Sequence, residues 1–154
     1  MPRSCCFTGH RIIRKQDSDR IYDAIKSEIR NLSERGISNF ISGGALGFDM
    51  LAAEAVLELR EGELAFITLE LMLPCENQTI KWRESERERY AAIISRADKV
   101  SYTSREYTPT CMAERNRAMV DASEHCIAYI YKSFGGTAYT VRYVNETDKG
   151  LTLI

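Results

Sequence analysis

Two glycine-bearing stretches and a handful of charged side chains are the residues of this chain that could do chemistry. The first stretch, residues 41–49, reads Ile-Ser-Gly-Gly-Ala-Leu-Gly-Phe-Asp. A short apolar run precedes it and an alanine- and leucine-rich run follows, the pattern of a strand, a tight turn and a helix start. Glycine has no side chain, so Gly43, Gly44 and Gly47 let backbone N–H groups approach a ligand closely. A helix start adds unpaired N–H groups and a partial positive charge. Together these favour an anion, above all a phosphate, although the pattern also suits a plain strand-to-helix turn. The second stretch, Phe134-Gly135-Gly136-Thr137, repeats the arrangement after another apolar run.

Side chains near these turns suit the same ligand. Arg11, in Thr8-Gly9-His10-Arg11, could neutralise a phosphate, and Thr8, Ser42 and Thr137 offer hydroxyls. Asp49 stands about two residues into its helix. There it either favours the helix dipole, binds a ribose hydroxyl, or serves as a general acid or base. Glu114, Arg115 and Asn116 lie one turn into a later helix, where Arg115 and Asn116 can meet a ligand from the far side or face solvent. His10 and Trp82 carry little weight alone: the first suits a structural loop histidine and the second a core residue. A Gly-x-Gly-x-x-Gly fingerprint with an acidic partner is missing, as is a Gly-x-x-x-x-Gly-Lys-Ser/Thr loop, so a standard NAD dehydrogenase and a Walker-type NTPase are both unsupported.

The elements that position these residues alternate. A buried strand is expected over residues 5–8. A helix capped at Asp17 or Ser18 then carries Ile21, Ile25, Ile29 and Leu32 at helical spacing and stops at Gly36. Strands follow near residues 40–41, 66–73, 99–102 and 126–131, with a short last one over 151–154. Helices are expected over 50–59, 81–96, 112–123 and 138–145. Strand–helix alternation implies parallel strands with helices on both faces. The expectation is an α/β fold: a single doubly wound, Rossmann-like domain over residues 1–154, with a mostly parallel sheet of five to six strands. Such sheets bind ligands beyond the carboxyl ends of their strands. All five unusual loops, including Pro74-Cys75 and residues 104–107, fall at such ends.

The totals narrow the classes. In 154 residues there are 21 Lys plus Arg and 22 Asp plus Glu, a net charge of −1 that argues against bulk attraction to nucleic acid or membrane. No stretch nears the roughly 20 apolar residues a bilayer span needs, and no secretory leader is read, so the cytoplasm is the expected location. The five cysteines are scattered, with no Cys-x-x-Cys spacing, and no metal site is expected.

Thr8-Gly9-His10-Arg11, residues 42–49, Arg115-Asn116 with Met119-Val120-Asp121, and Gly135-Gly136-Thr137-Ala138 together resemble the YpsA-like family. That family sits in the SLOG group of Rossmann-like proteins, with the DNA-processing protein DprA and the lonely-guy phosphoribohydrolases. The resemblance spans residues 8–138. It implies self-association into a homo-oligomer and a pocket for a nucleotide or nucleotide-derived ligand, including NAD- or ADP-ribose-type molecules, built on Gly43, Gly44, Gly47 and Asp49 and on Gly135, Gly136 and Thr137. Lonely-guy enzymes pair an arginine with a glutamate after a Pro-Gly-Gly-x-Gly-Thr loop. Here the proline and one glycine are missing, and no carboxylate follows Thr137.

Three functions remain open. The chain binds a nucleotide-like ligand as a sensor or regulatory module. Alternatively it cleaves a nucleotide N-glycosidic bond, with Asp49 or Glu114 as acid or base and Arg11 or Arg115 as phosphate clamp. Or it is a scaffold whose helix surface over residues 82–96 meets a protein or nucleic acid. A nucleic-acid partner is not expected from the charge, and a membrane is excluded.

Overall fold

The computed structural model describes residues 2–154. Its chain order is β1 (Arg3–Gly9), α1 (Lys15–Glu34), β2 (Ile37–Ser42), α2 (Phe48–Arg60), β3 (Thr68–Leu73), α3 (Glu84–Arg96), β4 (Lys99–Tyr102), α4 (Cys111–Asp121), β5 (His125–Tyr129), α5 (Gly136–Glu146) and β6 (Gly150–Leu153). The strands form one sheet in the order β4-β3-β2-β1-β5-β6, and every neighbouring pair is parallel. This is the doubly wound, Rossmann-like α/β architecture, with six strands.

Topology follows from the handedness of parallel crossovers. The chain steps outward from β1 to β4, then returns past β1 to lay down β5 and β6. Right-handed connections therefore put α1, α2 and α3 on one face and α4 and α5 on the other; α1 packs on α2, α2 on α3, and α4 on α5. Alternation along the strands feeds both layers. Cys5 and Phe7 of β1 and Phe40 of β2 enter the larger core with Ile21, Ile25 and Phe48. Their chain neighbours Cys6 and Ile41 enter the smaller core with Met119, Val120 and Val144. Helix α2 is central: Ala52, Ala53, Ala55, Val56 and Leu57 are all buried, because small side chains let it lie close to the sheet and to two helices.

Several boundaries differ from expectation, four of them in ways that bear on the site. Helix α1 starts before Asp17, which sits in its first turn and accepts a hydrogen bond from Arg14 Nε at 2.9 Å; a carboxylate there offsets the dipole without acting as the cap. Helix α3 starts at Glu84 rather than 81, because the Arg83 amide donates to Glu86 Oε1 at 2.8 Å and closes the first turn. Trp82 therefore lies in the preceding turn, its amide bonded to the Thr79 carbonyl at 2.9 Å. Strand β5 stops at Tyr129, leaving Tyr131 in a loop, and α5 begins at Gly136, two residues earlier than expected.

A candidate ligand-binding cleft at the strand-order reversal

Strand order reverses at β1, whose neighbours β2 and β5 carry on in opposite directions. Loops leaving such neighbours cannot cover the gap between them, so a crevice forms beyond the carboxyl ends. Here it is a cleft of about 410 Å³. Residues 8–12, at the end of β1 and just past it, form one wall, and Ala45 of the β2–α2 connection and Asp49 of the first turn of α2 form the base. Met112, Arg115 and Asn116 of α4 close the far side, and Tyr131, Lys132, Gly136 and Thr137 complete the ring.

The second glycine loop reaches this space through Gly136 and Thr137. Helix α5 begins after Gly135, whose φ of 95° and ψ of −175° suit glycine, and no side chain caps it. A Cβ at Gly135 or at Gly136 would meet nothing within 4 Å. The first amides of α5 have no partner within the helix. Gly136 and Thr137, which carry two of them, line the cleft together with Lys132 and Arg11. An anion fits there.

The first glycine loop is built differently, which corrects the expectation that both loops present bare amides. Asp49 is buried and its Oδ2 accepts from the Ala45 amide at 3.4 Å. Ser42 Oγ donates to the Asp49 carbonyl at 2.8 Å and accepts from the Gly44 amide at 3.3 Å. The Gly43 carbonyl takes a hydrogen bond from Arg115 Nη1 at 2.5 Å. This loop has already taken in its own carboxylate. Ser42, Gly43 and Gly44 stand behind the cleft wall, and a Cβ on Gly44 would point at Leu73 and Tyr90. Gly47 lies against the Arg11 backbone, whose carbonyl oxygen would be 2.1 Å from a Cβ there. Glu114 is exposed outside the cleft, accepting from Thr110 Oγ1 at 2.6 Å. Gly135 flanks the lining without joining it. Thr8, Gly9, Arg11, Asp49, Arg115, Asn116, Gly136 and Thr137 do line it.

Burial sets the electrostatics. It raises the Asp49 carboxyl from 3.8 to about 6; Arg115, the Ala45 amide and Arg11 oppose the rise only in part. The carboxyl thus titrates near neutrality. Burial also pulls the Arg115 guanidinium below its ordinary value, against the attraction of Asp49, yet an arginine stays charged. Arg115 Nε donates to Asn116 Oδ1 at 2.7 Å, which leaves the Asn116 NH₂ as that side chain's donor group for a ligand. Burial and Lys132 lower His10 from 6.5, in keeping with a neutral ring whose Nε2 accepts from the amides of Tyr131 at 3.0 Å and Lys132 at 3.3 Å. Tyr131 Oη donates to the Ile12 carbonyl at 3.1 Å. The loops after β1 and β5 are tied together by these bonds.

Ala45, Ile12, Met112, Tyr131 and Lys132 were not foreseen as lining residues. Two had readable signals. Lys132 is a cation just past a strand and just before a glycine pair, and Met112 precedes Arg115 and Asn116 by three and four residues, hence on their helical face. Among the described residues no group of three or more His, Cys, Asp or Glu is placed to hold a metal ion, and no helix is long and apolar enough to cross a membrane.

Comparison with known proteins gives three results. The family model YpsA, described as the YspA SLOG family, matches residues 6–150. The UPF0398 protein YpsA of Bacillus subtilis is 31% identical over 117 residues, covering 73% of this chain and 64% of that one. A UPF0398 protein of Bacillus pumilus is 31% identical over 144 residues, covering 88% of this chain and 76% of its own. Among solved structures, DNA processing protein A of Helicobacter pylori, described for its single-stranded DNA binding mode, superposes with a TM-score of 0.70 at 19% identity; the likeness covers 99% of this chain and 65% of that one. Streptococcus pneumoniae DprA gives 0.71 at 15% identity, over 99% of this chain and 50% of that one. At such identities the likeness is one of fold. The chain spans about 64% of the Bacillus subtilis relative's length.

Proposed function

This chain belongs to the YspA SLOG family, and on that premise we propose that it binds a nucleotide or nucleotide-derived small molecule in the cleft beside β1, as a sensing or regulatory module. The observation that carries the reading is the uncapped, sterically open start of α5, with Lys132 and Arg11 on the same cleft. A phosphate accepts hydrogen bonds from the free amides and the Thr137 hydroxyl, and the two cations balance its charge. Arg115 and Asn116 meet the ligand from α4. Asp49, at the base of the cleft, can meet a sugar hydroxyl.

The chemistry supports binding more than cleavage. A carboxyl titrating near 6 suits proton transfer, but its proposed partner Glu114 is outside the lining and no second carboxylate joins Asp49 there. Thermal-shift measurements with nucleoside monophosphates, ADP-ribose and NAD derivatives test the binding reading. A stabilisation by at least one of them is expected; the absence of any shift at millimolar ligand overturns it.

A second reading has one specific observation in its favour. The Helicobacter pylori neighbour is described as a single-stranded DNA binder, which does not fit the expectation, drawn from net charge, that nucleic acid is no partner. Net charge averages over the surface, while Arg11 and Lys132 share one cleft. Fluorescence anisotropy with a labelled single-stranded oligonucleotide separates the readings. Binding that weakens steeply with salt and is competed by a mononucleotide only at high excess favours the strand.

A further inference from the structure

We propose that the cleft is one half of a bipartite site, and that the cavity beside it, over residues 77–82, takes the nucleobase of the ligand whose phosphate α5 holds; this rests on the binding reading above. The adjoining cavity measures about 620 Å³ and shares Arg11 and Met112 with the cleft. A ligand anchored at α5 can therefore continue past those two side chains without leaving the surface.

The walls beyond that seam differ in kind from the first half. Leu46, Met112, Trp82 and Tyr107 supply apolar and aromatic faces, and Asn77 and Gln78 supply amides. Tyr107 is 62% exposed, a large ring for which the fold supplies no full cover. Trp82 meets Tyr90 edge to face at 5.2 Å between ring centroids, which fixes the indole while part of it remains accessible. Gln78 Nε2 donates to Tyr90 Oη at 2.8 Å, while Gln78 Oε1 is buried without a partner. A buried carbonyl left unpaired is destabilising, and the terminal amide torsion is soft. Gln78 itself lines the cavity, where an N–H of a ligand would satisfy that oxygen. Aromatic faces for stacking beside amide groups for an edge are what a planar, nitrogen-rich ring requires. An aliphatic ligand has no use for the amides, and a second phosphate none for the rings. Arg11, at the seam, then lies where phosphate and base halves meet.

The chain's single tryptophan is Trp82, so its fluorescence reports on this cavity alone. The intact chain is titrated with AMP, with ribose phosphate and with inorganic phosphate. AMP is expected to change Trp82 emission and to bind about tenfold or more tighter than ribose phosphate, the range that stacking of one base confers. Tyr107→Ala removes an exposed ring and leaves the fold intact; it is expected to erase that advantage while ribose phosphate affinity stays unchanged. Equal binding of AMP and ribose phosphate with no change at Trp82 overturns the bipartite site and leaves the phosphate reading standing. Failure of all three ligands to bind overturns the bipartite site, and the binding reading falls with it if ADP-ribose and NAD derivatives fail as well.

Discussion

Arg115 of α4 donates a hydrogen bond to the carbonyl oxygen of Gly43, a residue on the far side of the sheet's reversal and distant in the chain, while the arginine is only 4% exposed. A Cβ on Gly43 would lie 2.4 Å from Arg115 Nη1 and 2.9 Å from Asp49 Oδ2. The glycine is therefore needed for two buried charged groups to pass its backbone, and the loop it belongs to is a holder for Asp49 and Arg115 more than a phosphate cradle.

Gly43→Ala and Gly136→Ala accordingly separate the two glycine loops. The first forces the guanidinium aside, and a loss of roughly 1–3 kcal/mol is expected in urea denaturation. The second adds a methyl where nothing stands within 4 Å, so stability stays within about 1 kcal/mol of the parent. Ligand affinity is expected to fall in Gly136→Ala because that methyl enters the anion site. Equal stability losses would show that the loops are structurally alike.

Asp49→Asn tests the buried carboxyl. Its folded-state value is raised from 3.8 to about 6, so the folded chain holds this proton more tightly than the unfolded one. The stabilising contribution is complete below the unfolded value, declines as pH rises between the two, and is lost above about 6. A rise of that size corresponds to at most roughly 3 kcal/mol. Asn keeps an oxygen for the Ala45 amide and carries no charge. The variant is expected to be more stable than the parent by roughly 1–3 kcal/mol near neutral pH and indistinguishable at about pH 4. A gain that does not shrink in acid would count against a buried charge as its cause.

Much of this architecture is legible in the sequence. Ile21, Ile25, Ile29 and Leu32, spaced for one helical face, are all fully buried, and the alternation of Cys5, Cys6 and Phe7 between two layers follows from the two-residue strand period. Loops at one sheet edge follow from parallel strands. What cannot be read is direction within a turn. Asp49 reads as the acid of a helix start, but its folding back onto the Ala45 amide depends on backbone angles fixed by Phe48 packing under Gly9, where a Cβ would lie 2.4 Å from the Phe48 ring. Trp82 reads as helical because its spacing from Tyr90 fits a helix; the bond that Glu86 accepts from the Arg83 amide starts α3 later and leaves Trp82 in the turn over the second cavity.

Glu114→Gln is expected to leave both stability and ligand binding unchanged within error. Its carboxylate is engaged by the Thr110 hydroxyl outside the cleft, and an exposed substitution of this kind shifts stability by no more than about 0.5 kcal/mol. If base release from a nucleotide were detected and Glu114→Gln abolished it, Glu114 would have to swing into the cleft and the binding-only reading would fail.

Lys132→Ala and Arg11→Ala test the charge at the open helix start. Both side chains are exposed and line the cleft, so the fold is expected to survive either change. Each is expected to weaken a phosphate-bearing ligand by about three- to thirtyfold, the range of a charge-assisted hydrogen bond at a partly solvated site. The loss is expected to be smaller for a ligand lacking phosphate. Calorimetric titrations with AMP and with adenosine make the comparison, and an equal loss for both ligands would place the phosphate elsewhere.

Ligand binding itself is expected to take up a proton. An anion bound in the cleft places negative charge near Asp49, whose carboxyl already titrates at about 6 under the opposing pulls of burial and Arg115. Added negative charge disfavours the ionised form and raises that value further, so at neutral pH the complex holds more protons than the free chain and its ligand. Affinity then declines as pH rises through the interval between the free and bound values. Calorimetry in two buffers of different ionisation enthalpy at about pH 6.5 counts the protons directly. Uptake of up to about one proton is expected in the parent and close to none in Asp49→Asn. Unchanged uptake in that variant would assign the proton to the ligand's phosphate or to His10, whose ring burial already keeps below its ordinary value.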